Sequence, residues 1–139
     1  MSESILFAPI QEIAAAYRNG TLSPVEVTGL ALAQIERLNP NLNAFITVTA
    51  DRALAAAHRA QEEIRAGVDR GLLHGIPVAL KDLVDTAGIR TTCGSRILAS
   101  HVPNRDAVIV KRLNEAGAVI VGKTNLLEFA YGIVHPDFG

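Results

Sequence analysis

Two short apolar runs, each leading to a lysine, constrain the fold of this 139-residue chain more than any other feature. The first, Ile76–Leu80, leads into Lys81 and Asp82, and the second, Ala118–Val121, leads through a glycine to Lys123. Short apolar runs bounded by glycine and polar residues are typical of buried strands. Because burial of an ammonium group is costly and lowers its pKa, Lys81 is a candidate base. Alternatively, Lys81 is a solvated charge at the end of a strand, or Asp82 pairs with Lys81 and holds it protonated.

Helical patterns surround these runs. The predicted helices begin at about residue 10, at the capping box Ser23-Pro24-Val25-Glu26, at about residue 50, and at Asp106 as an N-cap. They are predicted to end at Asn19–Gly20, Asn39–Pro40, Gly67 and Gly117. A short β-branched segment, Phe45–Val48, is a further predicted strand. The alternation of helices with apolar strands predicts an α/β fold in which helices cover the faces of a sheet.

The composition excludes several classes of protein. Hydrophobic residues make up 49% of the chain, enough to fill a core, and the net charge of -1 includes no basic stripe for nucleic acid. The acidic start lacks the regions of a signal peptide, and no run approaches the ~20 apolar residues that span a membrane. A single cysteine, Cys93, rules out an internal disulfide. We expect a soluble cytoplasmic protein that binds neither nucleic acid nor membrane directly.

Residues Gly117–Thr124 match the phosphate-loop pattern G-x-x-x-x-G-K-T letter for letter. Such a loop follows a strand and curls so that its backbone N–H groups face phosphates. Here the middle residues are Ala-Val-Ile-Val, which favour a strand, and a predicted helix precedes the segment. Nucleotide binding at Gly117–Thr124 is therefore an alternative hypothesis, weaker than a helix-ending glycine followed by a strand.

The sequence predicts no metal site. None of the histidines has metal-ligand spacing with another histidine, cysteine or carboxylate. The histidines are His58, His74, His101 and His135. A catalytic cysteine needs a histidine partner and an activating environment, and we expect Cys93 to be inert.

Five short motifs follow one another in the second half of the chain. They are Gly75–Asp82 (GIPVALKD), Thr91–Ser95 (TTCGS), Asp106–Ala107, Gly117–Asn125 (GAVIVGKTN) and Glu128–Gly132 (EFAYG). In this order they resemble the amidase-signature family of hydrolases, and the helical residues 8–66 suit the N-terminal region of that family. The resemblance implies an α/β/α fold in which helices flank a mixed β-sheet. Residues 1–139 would be an incomplete, N-terminal part of a single such domain.

The resemblance also implies an activity, the hydrolysis of carbon–nitrogen bonds other than peptide bonds. In this family a lysine, a serine in a cis peptide bond and a nucleophilic serine form the catalytic triad, and Lys81 matches the lysine. The neutral lysine accepts a proton, through the cis serine, from the serine that attacks an amide carbonyl, so no metal or organic cofactor is needed. Ala130 and Tyr131 match positions near the acyl pocket. Alternatively, Phe129 and Tyr131 are core aromatics.

One departure from the family pattern is decisive. Both triad serines belong to a Gly-Gly-Ser-Ser-Gly-Gly-Ser type segment, and neither Ser95 nor Ser100 lies in such a segment. Residues 134–139 resemble the stretch that leads into it. We therefore expect a chain cut off mid-domain and inactive alone. Its exposed apolar surface would favour a homo-oligomer or a complementing chain that carries the missing serines. The substrate would be a small-molecule amide.

Two further functions remain open at this stage. The chain could be part of the A subunit of a glutamine-dependent amidotransferase, a related enzyme that frees ammonia from glutamine. It could instead be a non-catalytic interaction module, which would tolerate replacement of Lys81.

Overall fold

Four helices and three strands make up the described part of the chain, residues 3–132 of a computed structural model. The elements are α1 (Ile10–Arg18), α2 (Pro24–Leu42), β1 (Phe45–Val48), α3 (Ala50–Arg65), β2 (Pro77–Lys81), α4 (Val108–Glu115) and β3 (Val119–Thr124). Short 3-10 helices add Glu3–Phe7, Arg96–Leu98 and Glu128–Ala130. The order of elements confirms the predicted α/β class, and the segment between β2 and α4 is mostly irregular.

The sheet is mixed, as the family resemblance implied. Its strand order is β1–β3–β2, with β3 parallel to β2 and antiparallel to β1. Lys81 at the end of β2 and Phe45 at the start of β1 both lie opposite Thr124, the last residue of β3. The carboxyl ends of the two parallel strands therefore meet at one end of the sheet. This is where open α/β folds commonly place functional groups.

Helix α2 begins as predicted but ends later. Ser23 accepts a hydrogen bond from the Glu26 amide (3.2 Å), and its own amide donates to the Glu26 carboxylate (2.9 Å), which completes the capping box. The helix continues through Pro40, so the predicted end at Asn39–Pro40 is wrong. The Asn39 side chain bonds both the amide and the carbonyl of Phe45 and ties the last turn to β1. These contacts offset the helical hydrogen bond that proline cannot donate.

Two boundaries around α4 also differ from the prediction. Asp106 is not the N-cap of α4, a position that Ala107 takes. The Asp106 carboxylate instead accepts hydrogen bonds from the Ala87 amide (2.7 Å) and the Asn114 side chain (3.4 Å), and so fastens the irregular segment to the helix. Strand β3 extends beyond the apolar run to Thr124 because it is paired on both sides, with β1 and with β2.

Small side chains let α3 pack closely on the sheet. Ala53 and Ala57, one helical turn apart, are fully buried and form a core cluster with Val119 and Val121 of β3. A second cluster joins α1 and α2 to Ile76, just before β2. The two clusters fix the helices to the strands whose carboxyl ends meet. Within residues 3–132, no helix is both long and apolar enough to cross a membrane.

We predict that Gly122→Ala destabilises the protein and that Gly29→Ala stabilises it. A Cβ at Gly122 would lie 2.5 Å from the Thr47 carbonyl oxygen and 3.0 Å from a ring carbon of Phe45, so a strand would have to shift. A Cβ at Gly29, inside α2, meets no such neighbour within 4 Å. The free energy of unfolding should fall by about 1–3 kcal/mol at Gly122 and rise by about 0.5–1 kcal/mol at Gly29.

Urea denaturation of both variants beside the parent protein measures these changes. A stable Gly122→Ala variant would contradict the close approach of β1 to β3.

Candidate functional site

Lys81 stands at the end of the sheet where the two parallel strands finish. Its side chain is exposed, and within residues 3–132 no carboxylate lies at ion-pair distance from its ammonium group. Among the described residues Lys81 is therefore not buried and is a solvated charge at the end of a strand, as the alternative interpretation had it. The burial expected of a lysine after an apolar run is found instead at Lys123, which is fully buried.

Lys123 forms a buried ion pair with Asp82. Both residues are 0% exposed, and Lys123 Nζ lies 3.5 Å from Asp82 Oδ1. The ammonium group also donates hydrogen bonds to the Val84 carbonyl (2.8 Å) and the Thr91 hydroxyl (2.7 Å). Burial lowers the pKa of Lys123 because loss of water destabilises the ammonium form, and the Asp82 carboxylate opposes this shift.

Asp82 connects β2 to the loop that follows it. Its Oδ2 accepts hydrogen bonds from the Thr92 amide (2.8 Å) and the Thr92 hydroxyl (2.5 Å). Its backbone donates to the Thr124 carbonyl (3.0 Å) and accepts from the Cys93 amide (2.9 Å). Because the carboxylate is engaged inside the protein, the alternative in which Asp82 pairs with Lys81 and holds it protonated is wrong.

Two strained turns meet beside this network. Cys93 (φ 54°), Phe129 (φ 52°) and Ala130 (φ 54°) adopt the left-handed backbone conformation that non-glycine residues rarely take. The turns are joined by a hydrogen bond from the Phe129 amide to the Cys93 carbonyl (2.8 Å) and one from the Ser95 hydroxyl to Glu128 (2.5 Å). Such strain, about 1–2 kcal/mol per residue, persists only where surrounding contacts impose it, and it is concentrated at functional sites.

Ala130 and Tyr131 lie on the surface, at the end of the second strained turn. Tyr131 is 89% exposed and Phe129 is 51% exposed, so neither aromatic belongs to the core that the described residues form. Hydrogen bonds connect this turn to Cys93 and, through the Cys93 amide, to the backbone carbonyl of Asp82. The position of the turn is therefore coupled to the end of β2.

The phosphate-loop hypothesis for Gly117–Thr124 is wrong. Gly117 (φ 73°) follows the end of α4, and the residues from Val119 onward form β3. A phosphate needs a curled set of free backbone N–H groups, whereas this strand is paired on both sides. Lys123, which would bind the phosphate, is buried against Asp82.

The part of the chain that the structure describes holds no group of three or more histidine, cysteine or acidic side chains able to bind a metal ion. Buried His74 instead contacts Glu63, with 2.9 Å between Nε2 and Oε2. The Cys93 thiol is free and partly buried. His135 and the predicted lead-in at 134–139 lie outside the described residues.

The α/β architecture agrees with comparisons to known proteins. A family model described as amidase matches residues 26–137. This chain belongs to the amidase family, which confirms the resemblance seen in its motifs. The A subunit of the glutamyl-tRNA(Gln) amidotransferase of Geobacter metallireducens is 54% identical over 123 residues, which are 88% of this chain and 25% of that protein.

Solved structures show the same architecture. The peptide amidase of Stenotrophomonas maltophilia superposes with a TM-score of 0.83 at 39% identity, over 88% of this chain and 25% of its own. A chain from a vestigial protein complex, linked to the origins of an s-triazine catabolic enzyme, gives a TM-score of 0.84 at 38% identity, over 90% of this chain and 28% of its own. The chain thus spans about a quarter of the length of the relatives it matches.

Sequence reasoning missed the buried pair of Asp82 and Lys123 and their threonine partners. The phosphate-loop pattern and the end of the apolar run both suggested that the strand stops before Lys123. A usable signal was present, because a lysine that continues a strand flanked by two other strands is enclosed and needs an acidic partner. Asp82, directly after the neighbouring strand, was the nearest candidate.

Thr92→Val is expected to destabilise the protein, whereas Thr28→Val should leave its stability nearly unchanged. Both side chains are buried, but only the Thr92 hydroxyl donates to a buried carboxylate. The Thr28 hydroxyl has no hydrogen-bond partner within the described residues. Loss of a hydrogen bond to a charged group should lower the free energy of unfolding by about 1.5–3 kcal/mol.

Thermal unfolding of the two variants is the measurement, and each serves as the control for the other. Equal losses of stability at the two positions would contradict a special role for the hydroxyl bound to Asp82.

Proposed function

We propose that this chain provides the base of a Ser–cisSer–Lys amide hydrolase, with Lys81 as the base. The observation that carries the proposal is the contrast between Lys81, exposed at the carboxyl ends of the parallel strands, and its neighbour Asp82, which is turned inward. A general base must be within reach of the group it deprotonates, and it must not be held protonated by a counter-ion. Lys81 is accessible and, within the described residues, has no carboxylate at ion-pair distance, which supports this role.

In the proposed reaction the neutral amine of Lys81 takes a proton, by way of the cis serine, from the nucleophilic serine. The serine oxygen then attacks the amide carbonyl, while backbone N–H groups of the glycine-rich segment stabilise the oxyanion. Ammonia or an amine leaves with the returned proton, and water hydrolyses the acyl-enzyme. Every step is a proton or acyl transfer among side chains, substrate and water, so the proposed mechanism uses no cofactor.

Ala130 and Tyr131 are proposed to lie beside the acyl part of the substrate. Their exposure supports this role, since a side chain that contacts substrate has to be accessible before the substrate binds. The strained turn that carries them is hydrogen-bonded to Cys93, so they sit on a defined backbone and not on a free tail. A preorganised surface of this kind is what substrate positioning requires.

Residues 1–139 are further proposed to be the N-terminal part of one domain, whose remainder carries both serines. Exposed apolar side chains support this, because Leu83 (40% exposed), Leu127 (43%) and Phe129 (51%) lie on the segments that follow β2 and β3. Exposed apolar side chains after the ends of two neighbouring strands support contact with further protein there. The same surface could be covered by a second chain or by a second copy.

A more specific form of the proposal is that the amide is the side chain of glutamine. The 54% identity to the glutamyl-tRNA(Gln) amidotransferase chain of Geobacter metallireducens, against 39% to a peptide amidase, favours this form. Ammonia release from glutamine, compared with release from a C-terminal peptide amide under the same conditions, separates the two substrate classes.

The intact mass of the protein purified from its natural source tests where the serines are. We expect a mass several times 14.8 kDa, the mass of residues 1–139, because these residues correspond to about a quarter of the relatives. A mass of 14.8 kDa would exclude amide hydrolysis by this chain alone. The serines would then have to come from a second chain.

In the complete protein, Lys81→Met is expected to lower kcat/KM for amide hydrolysis by at least about 10³-fold, because methionine has a similar shape but accepts no proton. Lys111→Met is the matched control, since Lys111 is an exposed lysine on α4, and it should leave kcat/KM unchanged. Release of ammonia is the readout. Full turnover by Lys81→Met would show that Lys81 is not the base, whereas absence of turnover by the parent protein would favour the non-catalytic interaction module.

A further inference from the structure

We propose that Lys123 is a positioning residue that keeps the Asp82 carboxylate inside the protein, so that Lys81 is left without a counter-ion. The inference rests on the proposed function, because it concerns the environment of the proposed base. Lys123 touches no reacting atom in this scheme and acts only through Asp82.

The side chains of Lys81 and Asp82 point to opposite sides of the backbone, toward solvent and toward the interior. Lys81 is exposed and Asp82 is 0% exposed, as expected for successive residues in extended backbone. In the parallel pairing of β2 with β3, Leu80 lies opposite Lys123, and Lys81 lies opposite Thr124. The register therefore brings the Lys123 side chain to the interior side of the β2 terminus, where Asp82 points.

The Asp82 carboxylate depends on this cation. Thr92 supplies two hydrogen bonds to Oδ2, whereas Oδ1 accepts none within the described residues and has Lys123 Nζ at 3.5 Å. A buried carboxylate that loses its cation is strongly unfavourable, so it turns toward water or toward another cation. Lys81, the preceding residue, is the nearest other cation along the chain.

The Lys123 ammonium group cannot follow such a movement freely. It is anchored by its hydrogen bonds to the Val84 carbonyl and the Thr91 hydroxyl, at 2.8 and 2.7 Å. Both anchors lie on the segment after β2, the same segment that Asp82 begins. The pair and its anchors therefore form one unit that holds the loop and the carboxylate together.

Other charged and titratable groups lie around the pair. On the segment after β2, Asp85 and the Cys93 thiol both act electrostatically on Lys123. From α3, Arg52 donates to a backbone carbonyl of the same segment at 3.1 Å, and after β3 Glu128 accepts from a serine. Strand β1 carries no titratable side chain. These groups stay unchanged in the experiment, so differences between variants come from Asp82 and Lys123.

The test is the pH dependence of kcat/KM for amide hydrolysis by the complete protein, in Lys123→Met, Asp82→Asn and the double variant. Activity requires neutral Lys81, so the charge left behind beside it should move the acid-side midpoint of the profile. Lys123→Met leaves an unbalanced negative charge and should raise the midpoint by about one pH unit, while Asp82→Asn leaves a positive charge and should lower it by about one unit. The double variant removes both charges and should return the midpoint close to that of the parent protein.

A purely structural role would lower activity and melting temperature without moving the midpoint in opposite directions, and that result overturns the inference. If Lys123→Met does not fold, Asp82→Asn and the double variant decide, because replacement of both members of a buried pair is often tolerated. In that case the inference requires the midpoint to fall in Asp82→Asn and to return to the value of the parent protein in the double variant.

The proposed function of Lys81 and the positioning role of Lys123 can fail separately. An active Lys81→Met variant would remove the proposed function itself. An inactive Lys81→Met variant, together with unmoved midpoints in the charge variants, would remove only the role assigned to Lys123.

Discussion

The buried ion pair between Lys123 and Asp82 is the interaction on which the surroundings of Lys81 depend. Removing two charges from water carries a penalty of several kcal/mol per ion, so such a pair persists only where hydrogen bonds satisfy both groups. The Val84 carbonyl and the Thr91 hydroxyl accept from Lys123, and Thr92 donates twice to Asp82 Oδ2, so the segment after β2 supplies these bonds. The main effect of the pair is therefore to hold Asp82 and the segment after β2 in one arrangement, and not to add stability. It decides that Lys81, and not Asp82, faces solvent at the end of β2.

The pair forms because β3 lies between two strands and beneath a helix of small side chains. Ala53 and Ala57 allow α3 to approach the sheet, and Gly122 leaves room for the carbonyl of β1 that crosses it. Because α3 and the two flanking strands pack so closely, the end of β3 is shielded from solvent. A lysine buried there needs an anionic partner.

Local signals in the sequence predicted most of the elements. The capping box at Ser23–Glu26 and the positive-φ glycine after α4 were recognised because each depends only on a few neighbouring residues. The two failures at helix ends have a common cause. Asn39 and Asp106 use their side chains for partners in other segments, Phe45 at the start of β1 and Ala87 in the loop after β2, and not for the local capping that their residue type favours. A contact between segments overrode a local preference in both cases.

The sequence by itself determined the α/β class, the order of the strands along the chain, the family and the place of Lys81 at the end of an apolar run. Those properties follow from periodicity and from short motifs, which a linear sequence carries in full. Only the tertiary structure decided which lysine is buried, which partner Asp82 takes, and that the phosphate-loop pattern is a strand. Each of these depends on the register of β2 against β3 and on the loop that folds over it. Register is a property of paired strands, and neither strand encodes it alone.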